Sequence, residues 1–557
     1  MMRGDARAVG EVRVPFAPWL AVGLGLLAIP PLLYLGRHLN FAGDEWTWIF
    51  ERRGWSASVF FLPHNEHWST IPLLVFKLLF LTVGLRSYMP YLAALVLVHV
   101  ATAFLLFLNV RRRAGDIPAF MAMLLLLFLG RGWENILWAF QIGFVGSVLF
   151  GLLALLLLDR PGRGPLVLIG ASVALIAGLM CSGVGLFFLA AIGAELGLDS
   201  ARRRYLTVLA APLLAYVAWH ASFGRGSITV VSHRSPLSKE SIIGLIGYVP
   251  YGVGVALGGL FGLSTDWGVL MFGAVSGLLG AWVARARRVS PQLVGPMAGL
   301  LAEFILIGLV RSQLGAFEAA APRYIYIAAV FITLMLMPLL RPLPWRPAWL
   351  GLVGVVFLLV LANSAYMLRL SAHDRVAVIV AQDAELSTLS AVRGAPDLDQ
   401  DAQVDPIIMS PVRPRLYFDA IDHLGSPLPL LKASDLKSLP APYVDRALRA
   451  LFGGALRIGG GPAAPAAACT QIDETEIRAF TVSVAGGQSI TVTSTSGGSL
   501  ALYLSALANL EATPTRSVLV RDGEQLSIRL PDAGSSIRWR LGLVLPYGGM
   551  ATICSPT

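Results

Sequence analysis

The sequence predicts a polytopic α-helical membrane protein of about 11 spans, followed by a small C-terminal β-sandwich outside the membrane. Three observations carry that reading. The chain has 557 residues, of which 56% are hydrophobic and only 14% charged, with a mean hydropathy of +0.70. A soluble domain carries about a quarter charged residues, so there are too few here to clothe a soluble surface. The apolar residues fall in runs near the roughly 18–20 residues that a helix needs to cross a bilayer. The basic residues cluster between those runs, at Arg111–Arg113, at Arg202–Arg204, at Arg285, Arg287 and Arg288, and at Arg341 and Arg346. That is the pattern of cytoplasmic loops under the positive-inside rule. A soluble enzyme, an extended nucleic-acid binder and a disordered chain are excluded. The formal net charge of +10, from 43 basic and 33 acidic residues, is a signal of topology and not of a nucleic-acid partner.

The elements follow in order. Met1–Arg13 is polar and basic and is expected in the cytoplasm, and 15–35 is too long for a signal-peptide core and reads as an uncleaved first span. A first external loop over 36–87 follows, rich in Trp, His, Asp and Glu. Within it, 70–84 is apolar but short and holds Pro72 and Lys77. Were it to cross along with 88–110, the arginines at 111–113 would fall outside, so it is expected to lie along the interface. Spans follow at 117–131, 142–158, 165–181, 184–198 and 205–221. The glycine-rich 241–262 poses the same parity problem, because crossing would put Arg285–Arg288 outside. It is expected to be re-entrant or non-spanning. Spans at 267–283, 291–310, 323–340 and 348–368 complete the bundle. The C-terminal region then lies on the same side as the first loop. The localisation expected is a multi-pass protein of the cytoplasmic (inner) membrane, with the C-terminal domain periplasmic or extracellular.

Three domains are expected: a transmembrane domain over 1–368, a mixed helical connection over 369–460, and a β-sandwich over 461–557. A linker rich in Gly, Ala and Pro spans Gly459–Ala468. Short alternating segments follow at Arg478–Ala485, Gln488–Ser494, Ser499–Ser505, Ser517–Arg521, Gln525–Leu530 and Ile537–Leu545, separated by glycine-rich turns. Cys469 precedes the first of them and Cys554 follows the last. A disulfide between these two would staple the ends of the domain, in the oxidising compartment that the span count supplies.

The residues that could carry chemistry concentrate on the external side. The first loop holds Asp44-Glu45, then Pro63-His64-Asn65-Glu66-His67-Trp68. Carboxylates at a membrane edge are costly and persist where they serve a site. Glu134, in Gly130-Arg131-Gly132-Trp133-Glu134-Asn135, falls on the same side. If His64 and His67 lay on a helix, their spacing would put them on one face, able to hold a cation or a phosphate. The residues form no zinc motif, and no metal ligands are assigned. Lys77, Arg311 and Arg323 are cations near the outer boundary, with Tyr324 beside the last, and arginine suits bidentate phosphate binding. Glu303 lies midway along a span, where a partner on a neighbouring span is expected. No phosphate-binding P-loop and no serine nucleophile elbow occur.

This layout resembles the GT-C membrane glycosyltransferases, which use polyprenyl-phosphate sugars and include protein mannosyltransferases and aminoarabinose transferases. The resemblance covers roughly 15–370. It rests on Asp44-Glu45 in a long first external loop, on Pro63–Pro72 leading into an amphipathic segment, and on Trp133-Glu134 in the second external loop. It implies a GT-C-like fold and transfer of a sugar from a polyprenyl-phosphate donor to an extracytoplasmic glycan, lipid or protein acceptor, with membrane lipid around the protein. It implies that Asp44 is the general base, with Glu45 as its competitor and Glu134 beside them. It further implies that His64, Glu66, His67, Lys77, Arg311, Arg323 and Tyr324 serve the donor phosphate and substrate. The resemblance also implies a possible divalent cation, which family members often need. The chain departs from the family's His-Pro-Pro run, which leaves the roles of His64 and His67 open. By the same resemblance the β-sandwich binds acceptor glycan, although Tyr503, Trp539 and Tyr547 are few for a sugar platform. A flippase of lipid-linked sugars and a non-catalytic envelope assembly protein are the competing readings.

Overall fold

The structure is a computed structural model and describes residues 8–159, 164–225, 235, 237–286, 290–342, 347–461, 468–473, 480–495, 497–507, 514–544 and 550–555. Arg287, Arg288, Arg346, Tyr547 and the linker residues 462–467 lie outside the described residues. The chain divides into two compact units. The first comprises Met1–His38, Arg53–Thr82 and Met89–Arg375, and the second Leu39–Arg52, Val83–Tyr88 and Val376–Thr557.

The first unit is helical because its segments are apolar on every side, and a backbone in lipid must satisfy its own hydrogen bonds. Among the described residues of the chain, eight helices are long and apolar enough to cross a membrane: Ala17–Leu35, Met89–Ala114, Ala139–Leu158, Arg203–Gly224, Lys239–Leu260, Pro291–Leu314, Pro322–Leu340 and Gly351–Ala391. The expected figure of about 11 is not confirmed, and Lys239–Leu260, expected not to span, is among the eight. Three of the expected crossings fall on shorter apolar helices, Asp116–Leu127, Pro165–Cys181 and Gly185–Leu198, of 12, 17 and 14 residues. Sequence hydropathy counts apolar residues in helix and flanking turn alike, so it overstates helix length. Pro165, Pro291 and Pro322 each open a helix, where the missing amide hydrogen is not needed.

Two segments have unusual geometry. Thr70–Thr82 has 13 residues, about 20 Å of helix against a hydrocarbon core of about 30 Å. Lys239–Leu260 has 22 residues, enough to cross by length. Its N-terminal part meets Ser312 at Gly244, and its C-terminal part meets Ile325 and Arg131 at Gly259. Between these points Gly308 meets Leu245 and Tyr248, and Gly252 meets Phe304, so the first half of this helix runs antiparallel beside Pro291–Arg311.

Helices pack through small residues. The ring of Phe304 occupies the space a Cβ at Gly252 would need, and the ring of Phe188 does the same at Gly151. At one end of Ile142–Leu158 a buried ion-pair network closes the unit. Arg113 reaches Asp159 at 2.9 Å and Glu195 at 3.2 Å, and Arg202 reaches the same two carboxylates at 3.2 and 2.9 Å. Arg111 donates to the buried Asp116 at 2.6 Å, and so does the Val14 amide at 2.8 Å. The arginine clusters at 111–113 and 202–204 thus converge on one end.

In the second unit the first-loop stretch forms the helix Asp44–Glu51. Gly43 opens it at φ 56°, ψ −124°, a conformation that a side chain would resist. Trp46 packs edge-on against Tyr417, and Asn40 donates to Asp383 at 3.0 Å. The helices Pro414–Leu424 and Ala441–Phe452 belong to the same unit.

Nine strands follow among the described residues: β1 Arg457–Gly460, β2 Ala468–Asp473, β3 Phe480–Ala485, β4 Ser489–Ser494, β5 Gly498–Ser505, β6 Arg516–Val520, β7 Gln525–Arg529, β8 Arg538–Val544 and β9 Met550–Ser555. They form two antiparallel sheets, ordered β1-β7-β4-β9-β2 and β3-β8-β5-β6. Ile490, Val492, Leu502, Leu504, Ile528, Trp539 and Leu541 are buried at alternate positions. The alternation in the sequence located β3 to β8 and missed β1, β2 and β9. The glycine-rich β1 carries little pattern of its own and is recruited by pairing with β7. Cys469 and Cys554 face each other across β2 and β9 and are joined by a disulfide.

Candidate functional site

At the end of the first unit opposite Arg113, the segment His64–His67 forms a tight turn. The amide of His64 donates to the carbonyl of His67, and the reverse bond closes the pair, both at 3.0 Å. Asn65 takes a left-handed φ of 50°, which Asn tolerates better than most residues. The two histidines therefore do not share a helix face; a two-residue reversal separates them, which corrects the helical reading. His64 sits edge-on to Phe140 and His67 edge-on to Phe144, each at 5.1 Å. Aromatic stacking holds the loop in place. Trp68 lies parallel to Trp219 at 5.3 Å, and the Trp219 indole donates to the Phe61 carbonyl at 2.8 Å.

This turn delivers Glu66 to Arg311, whose guanidinium donates to its Oε1 at 3.1 Å. Burial by itself would raise the Glu66 carboxyl, but His67 and Arg311 outweigh it and hold it down at about 2. His67 accepts a hydrogen bond at Nδ1 from the Gly183 amide at 3.3 Å, so that nitrogen is unprotonated. Burial lowers the His67 pKa; Glu66 opposes this, and the nearby positive charge of Arg311, His64 and Arg323 adds to it. His67 thus sits between an ionised carboxylate and two guanidiniums.

Arg323 donates to Glu134 at 3.0 Å, and its guanidinium carbon lies 4.9 Å from the Tyr324 ring centroid. Both arginines are largely covered, with side chains 14% and 23% exposed. Each uses one terminal nitrogen on its carboxylate, which aims the fork and leaves further donors on the same group. Tyr248 completes the cluster. Its ring packs on Gly308, one turn before Arg311, and its buried hydroxyl has no hydrogen-bond partner among the described residues. Sequence reasoning missed Tyr248 because it lies in a segment that reads only as apolar and glycine-rich.

The other expected residues fall elsewhere. Lys77 Nζ donates to the carbonyls of Gly54 and Arg53 at 2.6 and 3.2 Å and sits under the Trp55 ring at 4.7 Å. It holds the first loop and stands apart from the arginine cluster. Glu303 is fully buried, and neither carboxylate oxygen has a hydrogen-bond partner among the described residues. The partner expected on a neighbouring span is therefore not found there. Asp44 and Glu45 belong to the second unit. Glu45 is fully buried, accepting from the Ala42 amide at 2.8 Å and the Tyr88 hydroxyl at 3.0 Å. Asp44 is half-buried in the first turn of its helix, where the helix dipole favours a carboxylate. Among the described residues no three His, Cys, Asp or Glu side chains converge as a metal cage. A divalent cation has no ready ligand set among them.

No protein-family model matches the chain, and no curated relative does. Solved structures that resemble it include two of ArnT. The crystal structure of ArnT from Cupriavidus metallidurans bound to undecaprenyl phosphate has a TM-score of 0.47 at 15% identity, covering 74% of this chain and 85% of that one. The apo state of ArnT gives 0.45 at 15% identity, covering 68% and 81%.

Proposed function

We propose that this chain is a membrane glycosyltransferase that takes a sugar from a polyprenyl-phosphate donor and passes it to a glycan, lipid or protein acceptor outside the cytoplasm. The arginine cluster carries the reading. Arg311 and Arg323 present guanidinium donors at a helix end, each aimed by a carboxylate and flanked by the buried hydroxyl of Tyr248, which has no hydrogen-bond partner among the described residues. A polyprenyl-phosphate sugar is a phosphodiester with one negative charge, and its leaving group gains a second as the glycosidic bond breaks. Guanidiniums fixed in a largely covered site favour that developing charge, and this is where a transferase needs stabilisation. The prenyl tail would lie among apolar helices. Nucleotide sugars stay in the cytoplasm, so an external transfer requires a lipid-linked donor.

In this scheme Glu66 and Glu134 are positioning residues for Arg311 and Arg323. With its carboxyl held at about 2, Glu66 is a weak base at neutral pH. The resemblance assigns the general base to Asp44, which would take the acceptor hydroxyl's proton as that oxygen attacks the anomeric carbon. Glu45 is a poor competitor, because its buried carboxylate is committed to Ala42 and Tyr88.

The test uses purified full-length protein and undecaprenyl phosphate, with undecaprenol as the uncharged control. Wild type is expected to bind the phosphate in preference to the alcohol, and Arg311→Ala and Arg323→Ala to weaken that binding by about 10-fold or more. Equal binding of the alcohol, or unchanged binding by both variants, would remove the donor site. In the native host, Asp44→Asn with normal protein level and unaltered envelope glycan would remove the base assignment.

A further inference from the structure

A cavity of about 480 Å³ in the second unit is lined by the four-stranded sheet and by the helical segments over 433–448. On β8, Arg538 and Arg540 alternate with the buried Trp539, so both project from the outer face of the sheet, with Cα atoms about 7 Å apart. Ser483 of β3 stands opposite Arg540 in register. Ser536 lies just before β8, and Lys437 reaches the rim from the short 3-10 helix Ala433–Ser438.

The charge of this cavity is one-sided. Among the described residues its lining holds no carboxylate, although the buried Asp445 lies behind it, accepting from the amides of Ala506 and Leu507. Among the described residues Lys437, Arg538 and Arg540 form no ion pair and no side-chain hydrogen bond. Other arginines of the same unit are paired, Arg393 with Asp422, Arg415 with Asp401 and Arg446 with Glu385. Three unpaired cations around one concavity focus positive potential on it and draw an anion. Two guanidinium forks on one strand face suit the planar oxygens of a carboxylate or the tetrahedral oxygens of a phosphate. The volume falls within the roughly 300–1,000 Å³ of small-ligand pockets, well beyond a lone oxyanion. The serine hydroxyls can bond sugar hydroxyls in either sense.

We infer that this cavity binds an acidic saccharide, its carboxylate or phosphate oxygens held by Arg538 and Arg540 and its hydroxyls by Ser483 and Ser536. The inference depends on the transferase reading only in regarding that saccharide as part of the acceptor.

The experiment is calorimetric titration of the full-length protein in detergent with four probes. Trigalacturonate carries carboxylates and fructose 1,6-bisphosphate carries phosphates; maltotriose and inorganic phosphate are the controls. At least one acidic saccharide is expected to bind saturably, with affinity falling as salt rises, and the tighter of the two identifies the oxyanion. Arg538→Ala and Arg540→Ala are each expected to weaken that binding by about 10-fold or more. Both side chains are exposed, so the substitutions leave the sheet core intact. Salt dependence measured on wild type provides a second readout that needs no variant. Maltotriose binding as tightly as the acidic probes, inorganic phosphate binding as tightly as either, failure of both acidic probes, or unchanged affinity in both variants would each overturn the inference. Arg323→Ala, which removes donor binding if the transferase reading is right, is expected to leave this binding intact. The two proposals therefore fail separately.

Discussion

Replacing Glu66 by Gln tests the electrostatics of the arginine cluster most directly. The carboxyl is held at about 2 against an ordinary value of 4.5, which corresponds to about 3 kcal/mol favouring the folded state at neutral pH. Its side chain is 24% exposed, so solvent screening brings the expected figure to about 1–3 kcal/mol. The sign follows from linkage. A depressed carboxyl pKa contributes stability that is complete above about 4.5 and is lost as the pH falls toward 2. His67, also depressed, acts in the same direction starting higher, because burial opposes the proton that the unfolded chain takes up below about 6.5. Glu66→Gln should therefore lower the apparent melting temperature in detergent at pH 7. The gap to wild type should narrow steadily from about pH 4.5 toward pH 2, as the unfolded chain takes up the Glu66 proton while the folded carboxylate stays ionised. A variant that melts with wild type at pH 7, or a gap that does not change with pH, would refute the reasoning. Glu66 would then be a solvated loop carboxylate with no hold on Arg311.

Two further outcomes follow from the same structure. Cys469→Ser removes a bridge between residues 85 positions apart, at an expected cost of about 2–4 kcal/mol to the β-sheet region; limited proteolysis should then cut between 468 and 555 in the variant, and in wild type only after reduction. Arg113→Ala leaves Asp159 and Glu195 without the guanidinium they share with Arg202, at about 3–5 kcal/mol. Adding Glu195→Ala should recover part of that loss in apparent melting temperature, whereas additive losses would show that the network is not coupled.

Much of this architecture can be read from one sequence because lipid leaves a backbone few choices. A run such as 142–158, nearly free of polar side chains, has to be a helix wherever its neighbours lie. Alternation located six of the strands, and two cysteines flanking them indicated their own pairing. The site was legible as an inventory of residues and not as an arrangement. Glu66 and Arg311 are 245 positions apart, and Glu134 and Arg323 are 189 apart. Their pairing depends on which helices pack side by side, and no local pattern encodes that.

The histidines show the same limit at short range. A spacing of three residues fits one face of a helix, but the left-handed Asn65 reverses the chain between His64 and His67. Lys77 read as a cation facing the outer boundary, and packing turned its ammonium onto the carbonyls of Arg53 and Gly54. Glu45 read as an alternative base, and packing buried it against Tyr88. By itself the sequence determined the helices, their apolar surfaces, the charged turns between them and the β-rich end of the chain, since each of these depends on composition and on neighbours within a few residues. Only the tertiary structure decided which carboxylate aims which arginine, which cations stay unpaired, and which ionisable groups are taken up in holding the fold, because those outcomes depend on distances between segments far apart in the chain.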